Sequence, residues 1–114
     1  MEECTEMGSM PCEPIVVLAT AGRAEAEVIA RTLVSEGYAA CVNVIDAISF
    51  YKWEGELCEH PEQLLIIKTT RDHGEATIDR IRELHSYDLP EMLLLPVVGG
   101  YPPYLQWLCK EVRQ

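Results

Sequence analysis

Residues 50–70 read F-Y-K-W-E-G-E-L-C-E-H-P-E-Q-L-L-I-I-K-T-T. Tyr51 and Trp53 alternate with Lys52, as side chains on opposite faces of a strand do, and residues 64–70 form a second apolar strand. Together they predict a hairpin. Its connection, residues 54–63, holds one Gly, one Pro and four Glu. That composition predicts a solvated loop in which Gly55 supplies any left-handed backbone position. Lys68 follows four apolar residues, Leu64, Leu65, Ile66 and Ile67, so its ammonium is carried into an apolar setting and needs a partner there.

Working outward, residues 15–20 form a continuous β-branched apolar run, the pattern of a strand buried on both faces. Ala26, Ile29, Ala30 and Leu33 fall at i, i+3, i+4 and i+7, which predicts an amphipathic helix capped by Gly37. Residues 39–53 read as one long strand with a bulge or bend at Asp46 and Ala47. After the hairpin, Asp72 and Glu75 have capping-box spacing, and Ile78, Ile81 and Leu84 mark a helix running to His85. Residues 92–98 are a fourth strand, in which Pro96 argues for an edge position. Pro102 and Pro103 suit the first turn of a last helix with a stripe of Leu105, Leu108, Cys109 and Val112. The order β-α-β-β-α-β plus a C-terminal helix is an α+β, ferredoxin-like split β-α-β arrangement with a four-stranded antiparallel sheet. Right-handed crossovers place both main helices on one face. The last helix is too short to cover the other face, so self-association through the sheet is expected.

The 114 residues fit one domain, residues 14–114, preceded by a loose leader, residues 1–13. A net charge of −10 opposes binding to nucleic acid or anionic membrane. No apolar run approaches the roughly 20 residues that cross a bilayer. The acidic N-terminus lacks the charge pattern of a secretory signal, which predicts a cytoplasmic protein. The five cysteines form no C-x-x-C pair and no regular spacing, a set that fits a reducing compartment better than a disulfide framework.

No nucleophile elbow, H-E-x-x-H or phosphate-cradling glycine loop is present, so no enzyme is expected, with His85 and Glu91 as the alternative acid and base. Among borderline and soft metal donors, Cys58 and His60 are neighbours in sequence, while Cys41 and His85 are the candidate metal ligands. They lack the spacing of a closed site.

Four blocks in order carry a resemblance: A-A-C-V-N (39–43), Y-K-W-E-G (51–55), I-K-T-T (67–70) and H-S-Y-D-L-P-E (85–91), followed by P-V-V-G-G (96–100) and Y-L-Q-W-L (104–108). Through them the chain resembles the CutA family of divalent-cation tolerance proteins. The resemblance implies a ferredoxin-like subunit in a tight homotrimer like the PII signalling proteins, with long hairpins packed between neighbours. It also implies a part in copper and other divalent-metal tolerance, with a divalent ion, copper foremost, as the one cofactor to consider. A PII-like small-molecule or scaffold module is the alternative. Tyr51, Trp53, Lys68, His85, Tyr87, Glu91, Tyr104 and Trp107 match the family's recurring positions and are the candidates for an inter-subunit cleft. Lys68 either pairs with a carboxylate, for which Glu91 is the candidate and the preferred reading, or faces an anion-accepting cleft. Ser86 stands where the family usually has Pro, which predicts a looser turn beside His85.

Overall fold

The computed structural model describes residues 12–112. Four strands, β1 (Pro14–Ala21), β2 (Cys41–Trp53), β3 (Glu56–Thr70) and β4 (Met92–Pro96), alternate with α1 (Arg23–Ser35), α2 (Gly74–Leu84) and α3 (Pro102–Glu111). The sheet order is β2-β3-β1-β4, and every neighbouring pair is antiparallel, the arrangement expected of the split β-α-β fold. β4 lies at an edge and Pro96 closes it, where a missing N–H costs nothing to the ladder.

Side-chain alternation assigns the two faces. Ile15, Val17, Ala19 and Ala21 stand opposite Thr69, Ile67, Leu65 and Gln63, and all are buried. Ala26, Ile29 and Leu33 of α1 and Ile81 of α2 complete that core. Gly74 opens α2 in close contact with the sheet: a Cβ there would lie 2.9 Å from Leu94 Cδ2 and 3.1 Å from Ile15 Cδ1, so those side-chain ends would have to move for a larger residue. A 3₁₀ turn, Arg71–His73, delivers the chain to that contact. The helix therefore starts after His73 without a side-chain cap, and the predicted Asp72–Glu75 capping box does not form.

The hairpin departs most from expectation. Residues 56–63 continue β3, and the connection shrinks to Glu54 and Gly55, whose φ values of 51° and 84° make a two-residue turn of the kind that matches strand twist. Residue pairing runs unbroken from Cys41↔Lys68 to Trp53↔Glu56, so no bulge interrupts Asp46 and Ala47. Pro61 is tolerated because β1 ends opposite Gln63, and beyond that point β3 has only β2 beside it among the described residues. The result is a projecting two-stranded ribbon and an elongated subunit of 55 × 26 × 21 Å.

The leader expected through Glu13 falls mostly outside the described residues. Its last two residues are held: the Glu13 carbonyl accepts from the Arg71 N–H at 2.8 Å, and its carboxylate pairs with Arg71 Nε at 2.7 Å. Cys12 is bonded to Cys109 of α3, so the expectation of unpaired cysteines fails for this pair; Cys41 and Cys58 are free. Spacing along the sequence could not foresee the bond, because its partners are 97 residues apart and meet only after α3 folds back. No helix among the described residues is long and apolar enough to cross a membrane.

Candidate functional site

The face away from α1 and α2 carries Val16, Leu18 and Thr20 of β1, beside Lys68, Ile66 and Leu64 of β3 and Cys41, Asn43 and Ile45 of β2. Leu95 and Leu93 of β4 extend it. α3 packs on β1 and β3 and brings Tyr104 beside Cys41, so it shelters one end of this face, the Cys41–Lys68 end. Away from α3 the face is open: Leu93 is 53% exposed, Ile45 48% and Leu95 40%.

At the sheltered end the Lys68 ammonium donates to Asn43 Oδ1 and lies 3.8 Å from Cys41 Sγ. The Tyr104 hydroxyl joins them, its pKa raised first by burial and then by the Cys41 sulfur. Tyr104 in turn packs on Trp107, with ring centroids 5.6 Å apart. No carboxylate forms an ion pair with Lys68 among the described residues. The Lys68–Glu91 pair preferred from sequence therefore does not form within the subunit. Glu91 precedes Met92, which stands opposite Ala19, whereas Lys68 stands opposite Val16. Four residues of strand separate the two, roughly 13 Å.

At the other end His85 follows α2 with its imidazole fully buried. Its Nε2–H donates to the Thr20 carbonyl at 2.7 Å, just past the point where the β4 ladder stops at Ala19. Its Nδ1 accepts the Tyr87 N–H at 3.2 Å, so both ring nitrogens are occupied by backbone groups. Glu25 Oε1 approaches that ring at 3.5 Å and accepts the Ser86 N–H at 3.2 Å. The Ser86 side chain, more than any other group, holds the Glu25 carboxyl below its ordinary range. The Ser86 N–H thus ties this turn to α1, a contact that a proline, having no N–H, could not make. The Tyr87 hydroxyl donates to Glu62 Oε2 at 2.9 Å, and burial first, then Glu62, pushes its pKa up to about 12. Tyr51 bonds His60 Nδ1 at 3.1 Å, and Trp53 stands half exposed near the ribbon tip.

The eight cleft candidates are therefore not brought together within one subunit: Lys68, Tyr104 and Trp107 lie at one end, His85 and Tyr87 at the other with Glu91 just before β4, and Tyr51 and Trp53 stand out on the ribbon. The two metal candidates are parted in the same way: Cys41 lies at the first end and His85 at the second. With both imidazole nitrogens taken, His85 has no lone pair to offer an ion. The described residues hold no group of three or more His, Cys, Asp and Glu side chains able to cage one. The donor set of a single subunit does not fit a closed divalent-metal site.

Sequence reasoning missed a groove of about 720 Å³ between the start of α1 and the ribbon, lined by Arg23, Asp46, Ala47, Ile48, Pro61, Glu62 and Gln63. Asp46 accepts there from the buried Gln63 amide and, at 3.3 Å, from Arg23. Asp46 itself was the available signal, since a carboxylate in mid-strand needs donors; it was read as a break in the strand instead.

Residues 15–111 match the family described as CutA1 divalent ion tolerance protein. The divalent-cation tolerance protein CutA of Thermus thermophilus is 39% identical over 97 residues, spanning 84% of this chain and 94% of that protein. Its solved structure superposes with a TM-score of 0.84 over 88% of this chain and 99% of the other. The chloroplastic protein CutA of Arabidopsis thaliana is 40% identical over 110 residues, and the match spans 95% of this chain but 60% of that longer protein. A structure described as the PII-like protein CutA from Nostoc sp. PCC 7120 superposes with a TM-score of 0.83 at 34% identity, over 87% of this chain and 97% of that one.

Proposed function

Because this chain belongs to the CutA1 divalent ion tolerance family, we propose that it serves divalent-cation tolerance, copper included, as a homotrimer with ligand clefts between subunits and no catalytic step. The observation that carries this reading is the unpartnered half of the molecule. A two-stranded ribbon is marginal in water on its own, yet this one displays Ile48, Phe50, Trp53 and Leu57 at 50–75% exposure. The open sheet face lies beside it. Ribbons laid across neighbouring faces would cover both surfaces and carry Tyr51, Tyr87 and Glu91 of one subunit toward Lys68 and Tyr104 of the next. Tolerance would then act through assembly and ligand response rather than through a preformed metal cage, as the donor set of the subunit supports. The cytoplasmic placement expected from the acidic N-terminus belongs to the same reading.

Light scattering on the full chain tests the assembly, with an expected mass of about three times 12.9 kDa at micromolar concentration. A monodisperse single chain would sink the proposal. Calorimetry with copper(II) chloride should register weak, dispersed binding. One tight site per subunit, abolished by Cys41→Ser, would instead make direct sequestration the function.

A second reading, a PII-like small-molecule module, is favoured by one observation. The Lys68 ammonium has a neutral amide and a sulfur for partners, so its charge is left for an anion to meet. Titration with a nucleoside triphosphate and with inorganic phosphate, on the native chain and on Lys68→Met, would separate this reading from the first.

A further inference from the structure

α3 is a ten-residue helix that buries Leu105 and Leu108, with Val112 buried just beyond its end. A helix of this length does not hold itself together in water, so its attachment to the sheet decides its order. Part of that attachment is covalent. Cys109, in its last turn, is bonded to Cys12, two residues before β1, with Cα atoms 6.1 Å apart. The Cys12 side is anchored through Glu13, which makes both a backbone hydrogen bond and an ion pair to Arg71. The bond thus clamps the outer end of α3 to a fixed point on the sheet, while Tyr104 near the helix start lies beside Cys41. Cys12 also falls outside residues 15–111, the span that matches the family. The core cluster of β1, β3, α1 and α2 is packed without either cysteine, so loss of the bond need not unfold the domain.

We propose that the Cys12–Cys109 disulfide is a redox latch: when oxidised it holds α3 over the Cys41–Lys68 end of the sheet, and when reduced it lets the helix loosen and admits ligands and electrophiles there. Reduction uses a small dithiol. One of its thiolates attacks a sulfur of the pair, forming a mixed disulfide and releasing the other cysteine as thiolate. The second thiol of the dithiol then displaces the first cysteine, leaving two free cysteines and an oxidised dithiol, with no net change in electrons. The latch rests on the reading of the Lys68 end as the ligand end. Its test reads thiol access alone, so its failure leaves that reading standing, and failure of ligand binding leaves the latch standing.

The experiment uses the full chain, once air-oxidised and once treated with dithiothreitol and desalted. Both samples are alkylated with N-ethylmaleimide, and peptide mass spectrometry follows Cys41 and Cys58. Cys41 should react at least about tenfold faster in the reduced protein, the gain that opening of a local segment gives. Cys58, on the ribbon, should react at one rate in both. Cys12→Ser and Cys109→Ser should each reproduce the fast Cys41 rate without dithiol, with the far-ultraviolet circular dichroism retained. Equal Cys41 rates in the two states would overturn the latch. So would a parallel rise at Cys58, which would mean general unfolding, or free thiols at Cys12 and Cys109 in the oxidised sample after denaturation.

Discussion

On the face of the sheet beneath α1 and α2, Val17, Ala19, Leu65 and Ile67 are each 0% exposed, while on the alternate face Leu93, Ile45 and Leu95 keep 40–53% of their surface in water. The first set comes from the central strands β1 and β3, whose own alternate-face residues Val16, Leu18, Leu64 and Ile66 are only partly buried, and the second from the edge strands β2 and β4. The difference lies in what each face meets within the chain. Two helices seal the first, whereas one short helix shelters a corner of the second. An apolar residue on the first face therefore stabilises the subunit, and one on the second would, in the proposed trimer, stabilise the assembly.

The widest effect should come from placing a charge on the open face. Leu95→Asp puts a carboxylate where the trimer would be dry, and it does so once per subunit, so association should be lost completely. Light scattering would give the single-chain mass and circular dichroism an intact fold. A trimer that persists with Leu95→Asp would erase the functional distinction between the faces.

Next in size is a cavity on the sealed face. Ile67→Ala should lower unfolding stability by about 2–5 kcal/mol, read by urea titration, with the subunits still associated at low denaturant. If this variant dissociates before it unfolds, the sealed face also carries assembly.

The strands themselves were legible in the sequence as continuous apolar runs, but residues 15–20 read as covered on both faces, whereas within the subunit β1 and the end of β3 alternate between buried and partly buried side chains. The element order was legible too, since helix stripes such as Ala26, Ile29 and Leu33 are local features. The extension of β3 through residues 56–63 was not. Glu56, Glu59, Pro61 and Glu62 have loop composition, and they stand in a strand because a two-residue turn at Glu54–Gly55 forces pairing with β2. The site was half legible. Lys68 was singled out correctly as a cation in an apolar strand, but its partners Asn43 and Cys41 lie across the β2–β3 ladder, and pairing register is not written in either strand alone. The role of Ser86 depended on Glu25, a residue of α1 that meets it only in three dimensions.

A smaller effect on stability, and a larger one on binding, is expected at the sheltered corner of the open face. Lys68→Met removes a donor whose partners are uncharged. The melting temperature should therefore move by the equivalent of no more than about 1 kcal/mol, while affinity for a nucleoside triphosphate or phosphate disappears. A large fall in stability together with loss of the trimer would mean that a carboxylate reaches Lys68 across the subunit boundary. The corner would then belong to assembly like the rest of its face.

The smallest effect concerns the ribbon half of the open face, where Tyr87 donates to Glu62. Its pKa is pushed up from 10.0 to about 12, by burial first and Glu62 second, so the folded chain holds this proton more tightly than the unfolded chain does. A group of that kind contributes stability that is complete below pH 10 and is lost as the pH rises toward 12. The Tyr87→Phe variant has no proton to lose, so its melting temperature should fall less steeply than that of the native chain across that window. At neutral pH the two should differ by less than about 1 kcal/mol, since the hydrogen bond is made at a side chain 39% exposed. Tyr104→Phe is the matching probe at the sheltered corner, where the shift is also upward but the second cause is a sulfur in place of a carboxylate. Parallel melting curves for Tyr87→Phe and the native chain from neutral to strongly alkaline pH would show that in solution Tyr87 is neither buried nor bonded to Glu62. The ribbon would then keep the Arg23–Asp46 contact at its base, and the order of its outer part would rest on the neighbouring subunit of the proposed trimer.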